Sequence, residues 1–258
     1  MFNFENYCGV MDGKTYQRAL ALLITHIFSG NRNICNFALM CKSLSLKNLS
    51  LSCSLEDGRL SKRLEKLLLQ MGSAPTSGFN SLLLCPYQKK AYYRFLNNAK
   101  VYSENLMLGY QNYSVSEALA GGRVILSVQD TTELDFTGSR AAKNLDCLEY
   151  EHRKGLYLHN HLLLNDLGVP HGLFSQQYYA YKLEDLGKSK SRRYTDITEK
   201  HSYRWLQEFE MLQERFKSNT DKIVISISDR ESDIHELLQA RKYDHIHFEN
   251  SVKRFIIL

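Results

Sequence analysis

Two carboxylates that close two apolar runs are the part of this sequence best suited to chemistry. In RVILSVQDTTEL, Val124, Leu126 and Val128 alternate along one face of a strand, and Asp130 is next in that phase. In KIVISISDRESDIHELL, from Lys222 to Leu238, Ile223, Ile225 and Ile227 lead in the same way to Asp229. An ionised carboxylate that continues a core-facing stripe is costly unless it lies at the mouth of a cleft or faces a cation. Two brought together repel, and a hard divalent cation such as Mg2+ removes the conflict through its preference for carboxylate oxygen. Taken singly, each also has a plainer reading: Asp229 as the cap of a helix over Glu231–Arg241, and Asp130 as the opening of a turn. The matched phase favours the metal reading for the pair.

Basic side chains offer a second chemistry. From Glu56, Leu60, Leu64, Leu67, Leu68 and Met71 recur at helical spacing, while Arg59, Lys62, Arg63 and Lys66 form a separate stripe. Such a helix suits phosphate contact, although the stripe alone reads more readily as a solvated face. A loop from Lys182 to Arg193 carries Lys188, Lys190, Arg192 and Arg193 and is a second place for contact with a nucleic-acid backbone. His159 and His161 share a strand face, but no third ligand accompanies them and they read as structural. Neither GxxxxGK[ST] nor GxGxxG occurs, which removes nucleotide-dependent classes.

The elements that must position these groups follow from the rest of the chain. Its 258 residues, 43% hydrophobic and 24% charged, suit one large or two small globular domains. A net charge of +5 permits a polyanionic partner without demanding one. Six cysteines without a CxxC pair exclude a zinc ribbon and read as reduced thiols of a cytoplasmic protein. ALALLITHIF, from Ala19, is too short for a membrane span and makes a poor signal peptide, so no membrane association is expected.

A helix is expected over Thr15–Phe28, and the Ser/Leu/Asn-rich stretch SLSLKNLSLSCSL after it has no assignment. The basic-striped helix ends at Gly72–Gly78, a second helix covers Tyr87–Asn98, and a short one over Val115–Ala120 stops at Gly121-Gly122. The expected division is an unassigned segment over 1–50, a helical domain over 51–120 and an α/β domain over 121–258. Within the last, strands are expected to end at Asp130, to cover Leu156–Asn165 and Gly172–Tyr181, and to resume before Asp229 and from His245. Asp196 and Glu199 form a capping box for a long helix whose core side is Trp205, Leu206, Phe209, Leu212 and Phe216. Three strands, helix, strand, helix, strand is the order of a ribonuclease-H-like mixed sheet, with the ends of its first and fourth strands side by side.

Six segments in order resemble the Tn5-like branch of the IS4-type bacterial transposases: EDGRLSKRL (Glu56–Leu64), AYYRFLNN (Ala91–Asn98), QDTTELDF (Gln129–Phe136), GLYLHNHLLL (Gly155–Leu164), EKHSYRWL (Glu199–Leu206) and SDRESDIHELL (Ser228–Leu238). The resemblance implies a helical N-terminal domain that binds double-stranded DNA at transposon ends, followed by a ribonuclease-H-type catalytic domain. It also implies an Asp-Asp-Glu triad with two Mg2+ or Mn2+ ions, used for strand cleavage and transfer in cut-and-paste transposition. Asp130 matches the first aspartate and Asp229 the second. Arg59 and Arg63 match basic positions of the end-binding helix.

The family's Glu follows a long inserted region beyond the fifth strand, within a Tyr-Arg-Glu-Lys type signature, and has no counterpart before Leu258. Glu231 and Asp233 match family positions with other roles. The expectation is therefore a truncated transposase, monomeric, bacterial and nucleoid-associated, weak or inactive alone. The alternative is a non-catalytic DNA-binding product that occupies ends or inhibits transposition by pairing with a full-length transposase. An unrelated metal-dependent nuclease using Asp135 or Glu133 is the remaining option.

Overall fold

The computed structural model describes residues 43–53, 55–73, 85–139, 142, 145–187 and 195–250. The helix expected over Thr15–Phe28 lies outside them. The chain divides into two compact units between Ser116 and Glu117, within a helix.

In the first unit, the unassigned Ser/Leu stretch is a helix, α1 (Ser43–Ser52), that buries Leu46 and Leu49. Two of its hydroxyls stay local: Ser50 donates to the Lys47 carbonyl and Ser52 to that of Asn48, so a turn-like composition still gives a helix. The basic-striped helix α2 (Gly58–Ser73) starts where the Asp57 carboxylate accepts from the Arg59 N–H at 2.9 Å. It buries Leu64, Leu67, Leu68 and Met71. Helix α3 (Pro86–Leu96) opens with proline in its first turn after an extended Cys85 and buries Tyr92, Phe95 and Leu96.

Helix α4 (Ser103–Ala120) is three times the length expected from Val115–Ala120. Its early turns pass so close to Cys53 that a Cβ on Gly109 would lie 2.4 Å from the Cys53 Cα, a contact only glycine allows. The Cys53 thiol donates to the Leu106 carbonyl at 3.6 Å, and burial pushes its pKa up to about 12.

The second unit is built on a five-stranded sheet of order β3-β2-β1-β4-β5 among the described residues. Strands β1 (Val124–Asp135), β2 (Gly155–Asn165) and β3 (Pro170–Tyr179) form an antiparallel meander. Its second turn is shaped by Asn165, whose Oδ1 accepts from the N–H groups of Leu167 and Val169, and by Gly168 at φ +75°. Strand β4 (Ile223–Ser228) pairs in parallel with β1, from Val124 opposite Ile223 to Val128 opposite Ile227, and β5 (Ile246–Asn250) pairs in parallel with β4.

Helix α5 (Tyr203–Phe216) does not begin at the expected capping box. Asp196 instead caps a single 3-10 turn, Ile197–Glu199, by accepting from the Thr198 N–H, and an extended Lys200 ends that turn. The helix expected over Glu231–Arg241 is likewise divided, into a 3-10 turn at Arg230–Ser232 and the five-residue α6 (His235–Gln239). Ser232 donates to the Asp229 carbonyl at 2.6 Å and shares a hydrogen bond with Ser228, side-chain bonds that compete with a continuous helix, and Ile234 is extended.

The stripes Val124/Leu126/Val128 and Ile223/Ile225/Ile227 do share a sheet face, yet they are only half-buried. The fully buried phase is the other one: Ile125, Ser127 and Gln129 on β1, Val224, Ser226 and Ser228 on β4. Helix α5 decides this, because it packs on that face. Its Glu208 reaches His161 on β2, which in turn bonds Ser127, and Phe209 meets Phe248 on β5 edge to face at 5.7 Å. No described helix is long and apolar enough to cross a membrane.

Candidate functional site

Asp130 and Asp229 each lie two residues beyond the paired Val128 and Ile227, on strands about 4.8 Å apart. The carboxylates therefore leave the same sheet face as neighbours. Asp130 does not end its strand, since β1 continues to Asp135 against β2, with Asp130 opposite Asn160. Asp229 follows β4 directly, and its Oδ1 accepts from the Glu231 N–H at 2.9 Å, so it caps the 3-10 turn while belonging to the pair.

Desolvation raises the Asp130 pKa above the ordinary carboxylate range, although the residue is exposed to solvent. The Thr131 N–H opposes that shift, and the Asp229 charge adds to it. Glu231 is raised as well, first by partial burial and then by the charges of Asp229 and Asp130, against the Arg204 cation that lowers it. Three carboxylates thus feel one another where the carboxyl end of β4 meets the middle of β1.

Arg204 manages the third. It projects from the first turn of α5, is 8% exposed, and donates to Glu231 at 2.9 Å, to the His201 carbonyl at 2.7 Å and to Thr131 Oγ1 at 3.3 Å. Its guanidinium stacks over Tyr179 at 4.7 Å. Arg204 lies within EKHSYRWL, and no local pattern links it to Glu231, which is 27 residues further along the chain.

Glu208, fully buried, accepts from Gln177 at 2.6 Å, from the Ser175 hydroxyl, and pairs with His161 Nδ1 at 2.9 Å, while His161 Nε2 bonds Ser127 at 2.5 Å. His159 shares hydrogen bonds with Thr131 and Gln129, and burial pulls its pKa down to about 3. His161 ties α5 to the sheet through Glu208, whereas His159 bonds across β1 and β2 and packs its ring against Trp205 of α5. Glu133 and Asp135 project from the face opposite Asp130. Both are bridged by Arg153, at 2.7 and 2.9 Å, and Asp135 is held down to about 2, first by hydrogen bonds from Thr137. Asp130 and Asp229 are the residues whose donor chemistry fits a divalent cation; among the described residues no group of three His, Cys, Asp or Glu converges as a metal site.

The basic stripe lies along one flank of α2. Arg59 is highly exposed and paired with Asp57 at 3.1 Å, Lys62 and Lys66 are exposed, and Arg63 stacks over Tyr92 of α3 at 5.7 Å. Lys188, Lys190, Arg192 and Arg193 lie outside the described residues.

Residues 46–101 match the transposase DNA-binding family. The matched segment runs from α1 through α3 and contains the whole basic stripe. It supports a transposase with a DNA partner, carried by this helical unit. No curated protein matches the chain.

Proposed function

We propose that the chain is the end-binding and catalytic portion of a cut-and-paste transposase of the Tn5-like, IS4-type kind, its second unit a ribonuclease-H-like domain. The observation that carries this reading is the placement of Asp130 and Asp229 side by side on parallel strands, in a chain whose helical unit matches transposase DNA-binding domains. The six ordered sequence resemblances agree with it. In that role α2 holds the duplex by its phosphates through Arg59, Lys62, Arg63 and Lys66. Asp130 and Asp229 would hold Mg2+ or Mn2+, which supplies charge neutralisation at the reacting phosphate when bound. The Arg204–Glu231 pair keeps a third negative charge compensated beside them.

A second reading, a DNA-binding regulator that does not cut, is favoured by one feature: Glu231, the carboxylate that feels both aspartates, is engaged by Arg204. The test begins by enriching bound duplexes from a random-sequence pool with the full chain. Calorimetry with Mn2+ then compares the wild type with Asp130→Asn and Asp229→Asn. Duplex binding in all three proteins, with Mn2+ binding lost in both variants, is expected. Failure to bind any duplex overturns the transposase reading, and equal Mn2+ binding in all three overturns the catalytic site. Nicking of the enriched duplex by the wild type and not by the variants favours the enzyme over the regulator.

A further inference from the structure

The register that pairs β1 with β4 stops short of the acidic pair. Its last partners are Val128 and Ile227, each two residues before its aspartate, so the strand ladder alone does not set the distance between the two carboxylates. Each aspartate is oriented instead by the backbone of a residue that follows it. The Asp130 carboxylate accepts from the Thr131 N–H, and Asp229 Oδ1 accepts from the Glu231 N–H at 2.9 Å.

The side chains of those same two residues converge on one atom. Arg204 Nη2 donates to Thr131 Oγ1 at 3.3 Å and to Glu231 Oε2 at 2.9 Å. A single guanidinium nitrogen therefore joins the two aspartates, with one intervening residue on each side. Arg204 is itself held in place: Nη1 donates to the His201 carbonyl at 2.7 Å, and the guanidinium lies 4.7 Å from the Tyr179 ring and 5.4 Å from that of Trp205. Its buried Nε has no hydrogen-bond partner among the described residues, so the Nη groups alone set the direction of the fork. Thr131 Oγ1 is fixed from its other side by His159 Nδ1 at 2.9 Å.

We propose that Arg204 is a positioning residue that sets the separation of Asp130 and Asp229 through Thr131 and Glu231, and so fits the pair to a small divalent cation. This rests on the reading of the two aspartates as a metal site. The sign of its effect separates positioning from charge. Removing a positive group beside a cation site tightens metal binding by Coulomb's law alone, whereas loosening the gap between the ligands weakens it. Mg2+ demands near-ideal octahedral geometry and Ca2+ accepts varied ones, so a loosened pair loses Mg2+ more than Ca2+.

The experiment titrates the full chain with Mg2+ and, separately, with Ca2+ by calorimetry. Arg204→Ala is expected to bind Mg2+ about 10–100-fold more weakly, the usual effect of removing an outer partner of a metal ligand, and to lose much less affinity for Ca2+. Thr131→Val removes one arm of the link and no charge, and it shifts the Mg2+/Ca2+ ratio in the same direction. Arg204→Lys does not rescue the ratio, because an ammonium cannot span both arms in the fixed plane of a guanidinium. Glu208→Gln weakens the docking of α5 without touching the link and leaves the ratio unchanged, with Trp205 emission confirming a folded chain in every variant. Tighter Mg2+ binding by Arg204→Ala would reduce Arg204 to a bare charge and overturn the proposal. So would a ratio that stays constant in Arg204→Ala and Thr131→Val, or one that shifts equally in Glu208→Gln. A wild-type chain that binds neither cation overturns the underlying metal-site reading, and the positioning role with it.

Discussion

Replacing Glu208 tests how the second unit holds its site together. The carboxylate is fully buried, pairs with His161 Nδ1, and accepts from Ser175 and Gln177. Burial pushes its pKa up, but His161 and Ser175 together pull it further down, leaving it below the ordinary carboxylate range. Removing one partner of such a buried network strands the others, at about 3–5 kcal/mol. Glu208→Ala is therefore expected to destabilise the unit by that amount. Glu208→Gln costs less, roughly 1–3 kcal/mol, because the amide keeps one acceptor and its N–H2 can donate to a re-tautomerised His161.

The assay is urea unfolding followed by the emission of Trp205, the single tryptophan. It is 1% exposed on α5, with its ring edge-on to His159 at 4.4 Å. It reports the docking of α5 on the sheet. Since the folded Glu208 pKa is depressed, its contribution is present above the unfolded value near 4.5 and is lost as pH falls through the folded value. The acid limb of the wild-type stability curve should therefore flatten in Glu208→Gln. A Glu208→Ala protein within about 1 kcal/mol of wild type, the usual size of a point-mutant effect, would refute the reasoning.

Three further outcomes are expected. The Asp130 pKa is raised in the fold, so its ionisation opposes folding as pH rises above the carboxylate range; Asp130→Asn should raise the thermal midpoint in EDTA and abolish any rise on adding Mn2+, both read by calorimetry. Arg204→Ala should cost about 1–3 kcal/mol in the same Trp205 assay, discounted because Glu231 is largely exposed, and Arg204→Lys should not restore it because an ammonium cannot reproduce the fork of bonds and the stack on Tyr179. Gly109→Ala should loosen the first unit by about 1–3 kcal/mol, since its Cβ would lie 2.6 Å from the Cys53 sulfur, and the measure is a lowered melting midpoint with weakened duplex binding.

The strand alternation leading to Asp130 and Asp229 was legible because period-two patterning survives in any sheet, and it put the two aspartates on a common face. Which face was more deeply buried was not legible. Ser127, Gln129, Ser226 and Ser228 look like a solvent phase, and only their burial beneath α5, with Ser127 reached through His161 and Glu208, makes them core. Those partners are dispersed along the chain, where no local pattern can link them. Local signals also misled at Asp196, a good cap whose turn stops after three residues, and after Asp229, where Ser232 takes the bonds that a longer helix would need. Most of α4 lies outside the short helix expected, and its Gly109, unfavourable in a helix interior, is accounted for only by the close approach to Cys53.

The parallel pairing of β1 with β4 also has a kinetic consequence. The β1–β2–β3 meander closes through connections of some twenty residues or fewer, whereas Val128 and Ile227 are about a hundred residues apart. Closing that larger loop pays its entropy before any reward, so the meander forms early and β4 docks late. During synthesis the meander can assemble before β4 has been made. The two aspartates, each waiting on a different half of the sheet, meet only when the slowest pairing closes, so the acidic centre exists only in chains that have finished folding.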